Sequence, residues 1–214
     1  MNYPRLLLAV LALVSAAVAQ ERPRITAVER SQGWRFLFDG GSLADWRGYG
    51  QNKIPKNWSV ADGWLTTSGG TALVSEGEYR DFELLFDWKA DEDGVCQVYL
   101  RADEDRPAEE SGLLVDLAGG AGMGGNGGLT ELWRTITPQP GLWHRSKVSV
   151  YGNQVEHWID GDRVMTYMID SPGWREAVGS SRFKDVPDYG VHGEGRIVLF
   201  GKNASFRNIK IRPL

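Results

Sequence analysis

From Gly33 to the C-terminus, apolar residues recur at every second position in short runs, and glycine, aspartate, asparagine or proline closes most of them. Side chains alternate between the two faces of an extended strand, so a period of two selects strands over helices. The cleanest case is DFELLFDWK, in which Phe82, Leu84, Phe86 and Trp88 share one face while Asp81, Glu83, Leu85 and Asp87 share the other. GWRFLFDG, NWSVADGWLTT, GVCQVYLRA, GLLVDLAG, HRSKVSVYG, QVEHWIDG, RVMTYMID, GRIVLFG and ASFRNIKIRPL read in the same way. About ten short strands with turns at regular spacing predict an all-β protein, a sandwich or jelly roll of two antiparallel sheets. Gly152-Asn153 and Asp160-Gly161 read as hairpin turns on either side of QVEHWI.

Two stretches interrupt the strands. SPGWREAVGSSRF offers Ser171 as an N-cap, Pro172 at the first helical position and Gly179 near the stop, which predicts one short helix inside a loop. AGGAGMGGNGG, from Ala118 to Gly128, follows a strand but precedes no amphipathic helix, so it lacks the setting of a phosphate-binding loop. A flexible loop at the edge of a site is the functional reading, and plain surface slack is the bland one.

With 214 residues, 42% of them hydrophobic, the chain can bury one sizeable core. A formal net charge of -4 gives no field for a polyanion, which argues against nucleic acid and against cationic membrane binding. At the N-terminus, Arg5 precedes an apolar run from Leu6 to Val14, and Ala17-Val18-Ala19 has the small-x-small pattern of a signal-peptidase site. Residues 1–19 therefore read as a signal peptide cleaved after Ala19, residues 20–32 as a flexible leader, and residues 33–214 as a single domain. No later apolar run is long enough to insert in a membrane. Export implies an oxidising compartment, yet Cys96 is the single cysteine, so internal disulfides cannot stabilise the fold. Its neighbours Val95 and Val98 suit a small buried hydrophobe better than a nucleophile.

Several groups of residues could carry chemistry. Glu83 and Asp87 share a strand face and resemble a glycosidase carboxylate pair, although a solvated face explains them as well. Gln97, Tyr99 and Arg101 share a face of the next strand, a combination suited to sugar hydroxyls and sugar C–H faces; a surface row with Arg101 in an ion pair is the alternative. Nine tryptophans leave some, beyond core residues such as Trp88, for a carbohydrate groove. The three histidines, His144, His157 and His192, show no metal-binding spacing, and the turns DEDG and DEDR depart from the EF-hand loop. No cofactor or metal is implied, and no G-x-S-x-G elbow is present.

GWRFLFDGGSLADWRG, NWSVADGWLTT, EYRDFELLFDWKADEDG, VYLRA, GLWHRSKVSVYGNQVEHWIDGDRVMTYMIDSPGWREAVGSSRFKDVPDYG and FRNIKIRPL resemble, in that order, the family named for 3-keto-disaccharide hydrolase and 3-keto-glucoside lyase and hydratase. The resemblance spans Gly33 to Leu214, and HW-hydrophobic-(N/D)G, SRFKD and FRNI(K/R)IRPL carry it jointly. It implies a concanavalin- or laminarinase-like jelly roll, exported, acting on glycosides oxidised at C3 of the sugar. A C3 ketone acidifies the C2 proton, so a base can remove it, the C1 substituent leaves with help from an acid, and water can add afterwards.

Position by position, the resemblance points to His157 as base or acid, with Arg101 and Lys184 as cations for the enolate oxygen. Asp116 or Glu131 would be the carboxylate partner. Gln97, Tyr99, Glu83, Asp87 and Lys202 are the candidate sugar-binding residues. A packing histidine bonded across the sheet is the other reading of His157. Two departures weigh on catalysis: EESGLLVD lacks the glutamine of the family's Y-E-x-Q segment, and LFGKN lacks the acid and the histidine of its LQDHG segment, where Lys202 could replace a lost polar group. A non-catalytic carbohydrate-binding or scaffold domain on the same fold is the alternative to an enzyme.

Overall fold

Two long strands run the length of the molecule and belong to both of its sheets. The computed structural model describes residues 23–120 and 122–214. Its strands are β1 (Arg35–Phe38), β2 (Trp46–Gly48), β3 (Trp58–Ala61), β4 (Trp64–Thr67), β5 (Leu73–Tyr79), β6 (Phe82–Ala102), β7 (Leu113–Ala118), β8 (His144–Tyr151), β9 (Gln154–Ile159), β10 (Asp162–Met168) and β11 (Gly195–Pro213). The helices α1 (Ala27–Ser31), α2 (Ala108–Ser111) and α3 (Pro172–Gly179) are short. β6 and β11 pair antiparallel from Phe82↔Pro213 to Ala102↔Arg196. The halves Phe82 to Ala90 and Ala204 to Pro213 form a first sheet with β8, β9 and β10 on one side and β1, β4 and β3 on the other. The halves Val95 to Ala102 and Gly195 to Lys202 form a second sheet with β7, β5 and β2.

Both strands change sheet at the same level. The register slips between Lys202 and Ala204, and Asn203 adopts a left-handed φ of 48°. Opposite it, a Cβ on Gly94 would stand 2.9 Å from the Asn203 carbonyl oxygen and 2.8 Å from the Ala90 Cβ, so only glycine fits this close crossing. The bend brings the inner faces together: Phe82, Leu84, Phe86 and Trp88 meet Cys96, Val98, Leu100, Ile197 and Leu199 in one core, none more than 1% exposed. Each large side chain buried this way contributes roughly 1.5–3 kcal/mol. Cys96 lies within that core, where burial, with the Asp116 charge, pushes its thiol well above the ordinary range.

The period-two reading of DFELLFDWK and GVCQVYLRA thus holds, but the strand divisions differ from those expected. These two runs are one strand, as are GRIVLFG and ASFRNIKIRPL, because the turn-like residues between them mark a bend with hydrogen bonding kept on both sides. NWSVADGWLTT is a hairpin, with Asp62 and Gly63 both left-handed in its turn. β2 and β5 escape the pattern because WRG is short and LVSEGEY is interrupted by charge and glycine. The expected helix is α3, with Ser171 accepting from the Trp174 N–H at 3.1 Å.

The signal peptide expected over residues 1–19 lies outside the described residues. Within residues 20–32, expected as a flexible leader, Ala27–Ser31 form α1. Thr26 and Glu29 form a reciprocal capping box on α1, and Glu29 reaches Lys210 on the first sheet at 2.7 Å. No described helix is long and apolar enough to cross a membrane.

Strand alternation fails at Arg101, with consequences for the site. From Tyr99 to Ala102 β6 takes three steps, while β11 takes two from Val198 to Arg196, and the extra residue is absorbed by a left-handed φ of 53° at Arg101. The Arg101 side chain therefore leaves the face it was expected to share with Gln97 and Tyr99. Arg101 is 3% exposed, and its guanidinium donates to the carbonyls of Arg80 and Gly152 and to Asp81 Oδ1, tying the end of the second sheet to the β8–β9 hairpin. Gly195 packs behind it, where a Cβ would meet the Arg101 carbonyl carbon at 2.5 Å.

The core also closes over His157, whose ring is fully buried. Its Nδ1–H donates to the Gly124 carbonyl at 2.6 Å, and Nε2 faces the Tyr167 hydroxyl at 3.4 Å. Burial lowers its pKa from 6.5 to about 4, with the Gly124 hydrogen bond opposing weakly. The imidazole is neutral at pH 7.

Two predictions follow from these buried polar groups. Arg101→Met should cost about 2 kcal/mol in urea unfolding, because it removes the hydrogen bonds of the guanidinium to two carbonyls and its ion pair with Asp81, and a loss below about 1 kcal/mol would contradict the tie. For His157, the unfolded chain takes up a proton near pH 6.5 and the folded chain only near pH 4, so wild-type stability should fall as pH drops through that window. The loss should reach about 3 kcal/mol, and His157→Gln should remove it; parallel pH profiles for the two proteins would refute the assignment.

Candidate active site

The outer face of the second sheet gathers the polar residues that the core excludes. Register sets Phe200 beside Gln97 and Gln97 beside Asp116, with Val198, Tyr99 and Leu114 in the next row. The Tyr99 hydroxyl donates to Gln97 Oε1 at 2.9 Å, and Gln97 Nε2 donates to Asp116 Oδ1 at 3.4 Å. A carboxylate, an amide and a phenol are thereby oriented in a line across two strands. Burial first, then the charges of Glu109 and Asp116, push the Tyr99 pKa up to about 12, so it stays a neutral donor at pH 7.

The glycine-rich loop after β7 closes around Asp116 rather than hanging free. Asp116 donates its N–H to the Gly125 carbonyl at 2.8 Å and accepts from the Gly124 N–H at 2.7 Å. Gly120 lies so close to the carboxylate that a Cβ there would overlap Oδ2, which explains a glycine at that point. The loop then returns to form a cleft of about 390 Å³, lined by Asp116, Thr130, Glu131, Leu132 and Thr135 with glycines 125, 127 and 128. Two carboxylates, Asp116 and Glu131, thus face one cavity. On the far side of Tyr99, Tyr49, Phe200, Ala72 and Pro107 wall a more apolar hollow of about 410 Å³ with Glu109 at its margin.

Of the residues expected at the site, Asp116, Glu131, Gln97 and Tyr99 come together and the others do not. His157 is sealed from any substrate, so the role of base or acid expected for it is corrected: it is a positioning residue, holding the Gly124 carbonyl while the Gly124 N–H holds Asp116. Arg101 is removed by the bulge and is corrected likewise. Lys184 is exposed and lines neither cavity. Lys202, on the same face two residues beyond Phe200, pairs with Asp93 at 3.4 Å.

Glu83 and Asp87 lie on the outer face of the other sheet and are engaged there by cations, which corrects their expected sugar-binding role. Glu83 pairs with Lys147 and Arg212. Asp87 receives Arg145 at 2.8 Å, Asn208 at 2.7 Å and Arg207 at 3.4 Å. Burial of Asp87 opposes ionisation, but these bonds and charges outweigh it and hold its pKa below the ordinary carboxylate range.

Arg182, two residues before the expected Lys184, stands behind the cleft wall at Gly127 without lining either cavity. A Cβ on Gly127, in the cleft wall, would stand 3.5 Å from the Arg182 Nη2, and the Arg182 charge lowers the Tyr99 pKa. Its guanidinium lies 4.6 Å over the Phe183 ring. Phe183 begins a stack that continues through Tyr189 at 4.0 Å, Trp174 at 6.2 Å and Tyr167 at 5.1 Å, where His157 meets the Tyr167 ring edge-on. The ends of this ladder thus meet neighbours of the cleft wall, His157 the Gly124 carbonyl beside Gly125 and Phe183 the Arg182 guanidinium behind Gly127. Among the described residues no group of three or more His, Cys, Asp or Glu side chains is placed to hold a metal ion.

Comparison with known proteins places the fold and the family. A 3-keto-disaccharide hydrolase from Bacteroides thetaiotaomicron is 24% identical over 230 residues, covering 86% of this chain and 79% of that protein. The crystal structure of a candidate glycosyl hydrolase from Parabacteroides distasonis superposes with a TM-score of 0.83 at 24% identity, covering 91% of this chain and 100% of the other. A β-glucanase from Bacillus licheniformis shares the jelly-roll architecture alone, with a TM-score of 0.53 at 10% identity over 85% of this chain and 97% of its own. Residues 33–212 match the family described as the 3-keto-alpha-glucoside-1,2-lyase-like domain, and the chain belongs to that family.

Proposed function

We propose that the protein is a carbohydrate-active enzyme that cleaves glycosides oxidised at C3, using the cleft between Asp116 and Glu131. The observation that supports this most is the oriented line Tyr99–Gln97–Asp116, which opens into a cavity with a second carboxylate and an adjacent guanidinium. Asp116, held by Gln97 and by the glycine loop, removes the C2 proton. The electron pair of the C–H bond becomes the C2–C3 enolate, whose oxygen is stabilised by Arg182. As the carbonyl re-forms, electrons move into a C1–C2 double bond and the C1 substituent departs with a proton from Glu131. Addition of water across that double bond gives net hydrolysis. The aromatic walls of the hollow at Tyr49, Tyr99 and Phe200 suit the apolar face of a sugar ring or of its substituent.

The second reading, a non-catalytic sugar-binding domain, draws support from Phe200 and Lys202 in LFGKN, which make one side of the face apolar and leave its lysine paired with Asp93. Export belongs to the same proposal and rests on the N-terminal sequence alone.

Turnover of a 3-keto-glucoside by the purified protein, followed through release of the leaving group, separates the readings. Asp116→Asn and Glu131→Gln should each lower kcat/KM by about 100-fold or more, and Arg182→Met by a similar factor expressed mainly in kcat. Wild-type protein that binds the 3-keto-glucoside without turning it over selects the binding domain. Full activity in all three variants would move the chemistry elsewhere.

A further inference from the structure

The outer face of the first sheet, opposite the proposed active site, has a chemistry of its own. Of the nine tryptophans, Trp46, Trp58, Trp88 and Trp174 are buried. The other five, Trp34, Trp64, Trp133, Trp143 and Trp158, each carry an arginine or lysine over the ring. None lines the cleft or the hollow described above. The outward positions of β6, β8, β9 and β11 hold Lys89, Arg145, Lys147, Arg207, Lys210 and Arg212 against Glu83, Asp87 and Glu156, six cations to three carboxylates in a chain of net charge -4. This face is locally positive on an acidic protein.

At one end of the face is a polar cleft of about 480 Å³, within the range of ligand sites. Register places Ser59, Thr66, Ser205 and Lys89 in one row across four strands, and Lys56 and Asn57 complete the rim. Thr66 and Ser205 hydroxyls lie 3.1 Å apart and retain further bonding capacity. Asp91 is the single carboxylate in the lining. The Lys89 ammonium sits 4.2 Å over Trp64 and 5.2 Å from Trp143, and neither it nor Lys56 forms an ion pair among the described residues. An ammonium held by aromatic rings is fixed in place yet keeps its charge for a ligand, whereas one held by a carboxylate does not. With Lys89 and Arg207 already over the indoles, a sugar cannot stack on those ring faces, so recognition must come from cations and hydroxyls.

We propose that this cleft binds an acidic polysaccharide, with Lys56 and Lys89 meeting the acid groups and Ser59, Thr66 and Ser205 the sugar hydroxyls. The test is native affinity electrophoresis of the intact protein through gels containing polygalacturonate, dextran sulfate, neutral dextran or inorganic polyphosphate. Polygalacturonate or dextran sulfate should retard migration and dextran should not, the two acidic probes showing whether carboxylate or sulfate is preferred. The Lys56→Gln/Lys89→Gln double variant should lose at least about fivefold in affinity, and added salt should weaken binding further. Asp116→Asn should bind as wild type does while losing turnover, which separates this surface from the proposed active site. Retardation by neither acidic polysaccharide, equal affinity in the double variant, or polyphosphate binding as tightly as the better glycan would overturn the proposal.

Discussion

The bend shared by β6 and β11 is the constraint on which the rest of the molecule depends. A strand pair that stays hydrogen-bonded while crossing from one sheet to the other fixes the two sheets relative to each other without a disulfide, which a chain with one buried cysteine cannot form internally. It also fixes which residues face outward on each sheet. Since the period of two is preserved on both sides of the crossing, Phe82 to Trp88 and Cys96 to Leu100 point into one core, and the polar residues between them are divided between two outer faces. Gly94 is the point at which a methyl group would force the strands apart.

The site on the second sheet inherits its rigidity from this core through the aromatic ladder. An exposed glycine-rich loop is a poor support for a catalytic carboxylate, because glycine leaves the backbone many alternatives. Here the loop is held from beneath by a neutral, fully buried imidazole, and the ring stack that begins at that imidazole ends under Arg182. A histidine near pKa 6.5 in water would carry partial charge at mildly acidic pH, but one held near 4 keeps a constant hydrogen bond to the loop above that value. Burial therefore suits His157 to holding geometry and unsuits it to proton transfer with substrate.

The sequence makes the inward faces legible because burial imposes a period that survives in the residue types. It conceals Arg101 because the bulge is a relation between β6 and β11, visible only once Tyr99 and Ala102 are counted against Val198 and Arg196. Arg182 and Lys184 lie in a segment without strand period, where Ser181 accepts from the Phe183 N–H and turns the chain, so alternation could not decide between them. Phe183 offered a signal: a buried aromatic between two cations leaves room for the one that can stack on it, and arginine does so more readily than lysine. Asp116 and Glu131 entered as candidate carboxylates through family resemblance, whereas the cleft they share depends on how residues 122–128 fold back.

The tryptophans give the clearest case of composition and location parting. A high tryptophan count suggests a sugar groove, yet in the proposed active site the aromatic walls are Tyr49, Tyr99 and Phe200, and the half-exposed indoles lie behind the molecule. An antiparallel sheet with one face in water must keep that face soluble while covering the hydrogen-bonded backbone beneath it. Indoles capped by guanidinium and ammonium groups do both, since the rings cover the sheet and the cations keep water at the surface. Of the cations over these rings, Lys89 alone forms no ion pair among the described residues, so its charge is ordered in space without being neutralised. A surface built first for stability in this way needs only a few unpaired cations and a row of hydroxyls to acquire a ligand, and the end of the sheet at Ser59, Thr66, Ser205 and Lys89 is where this chain has both.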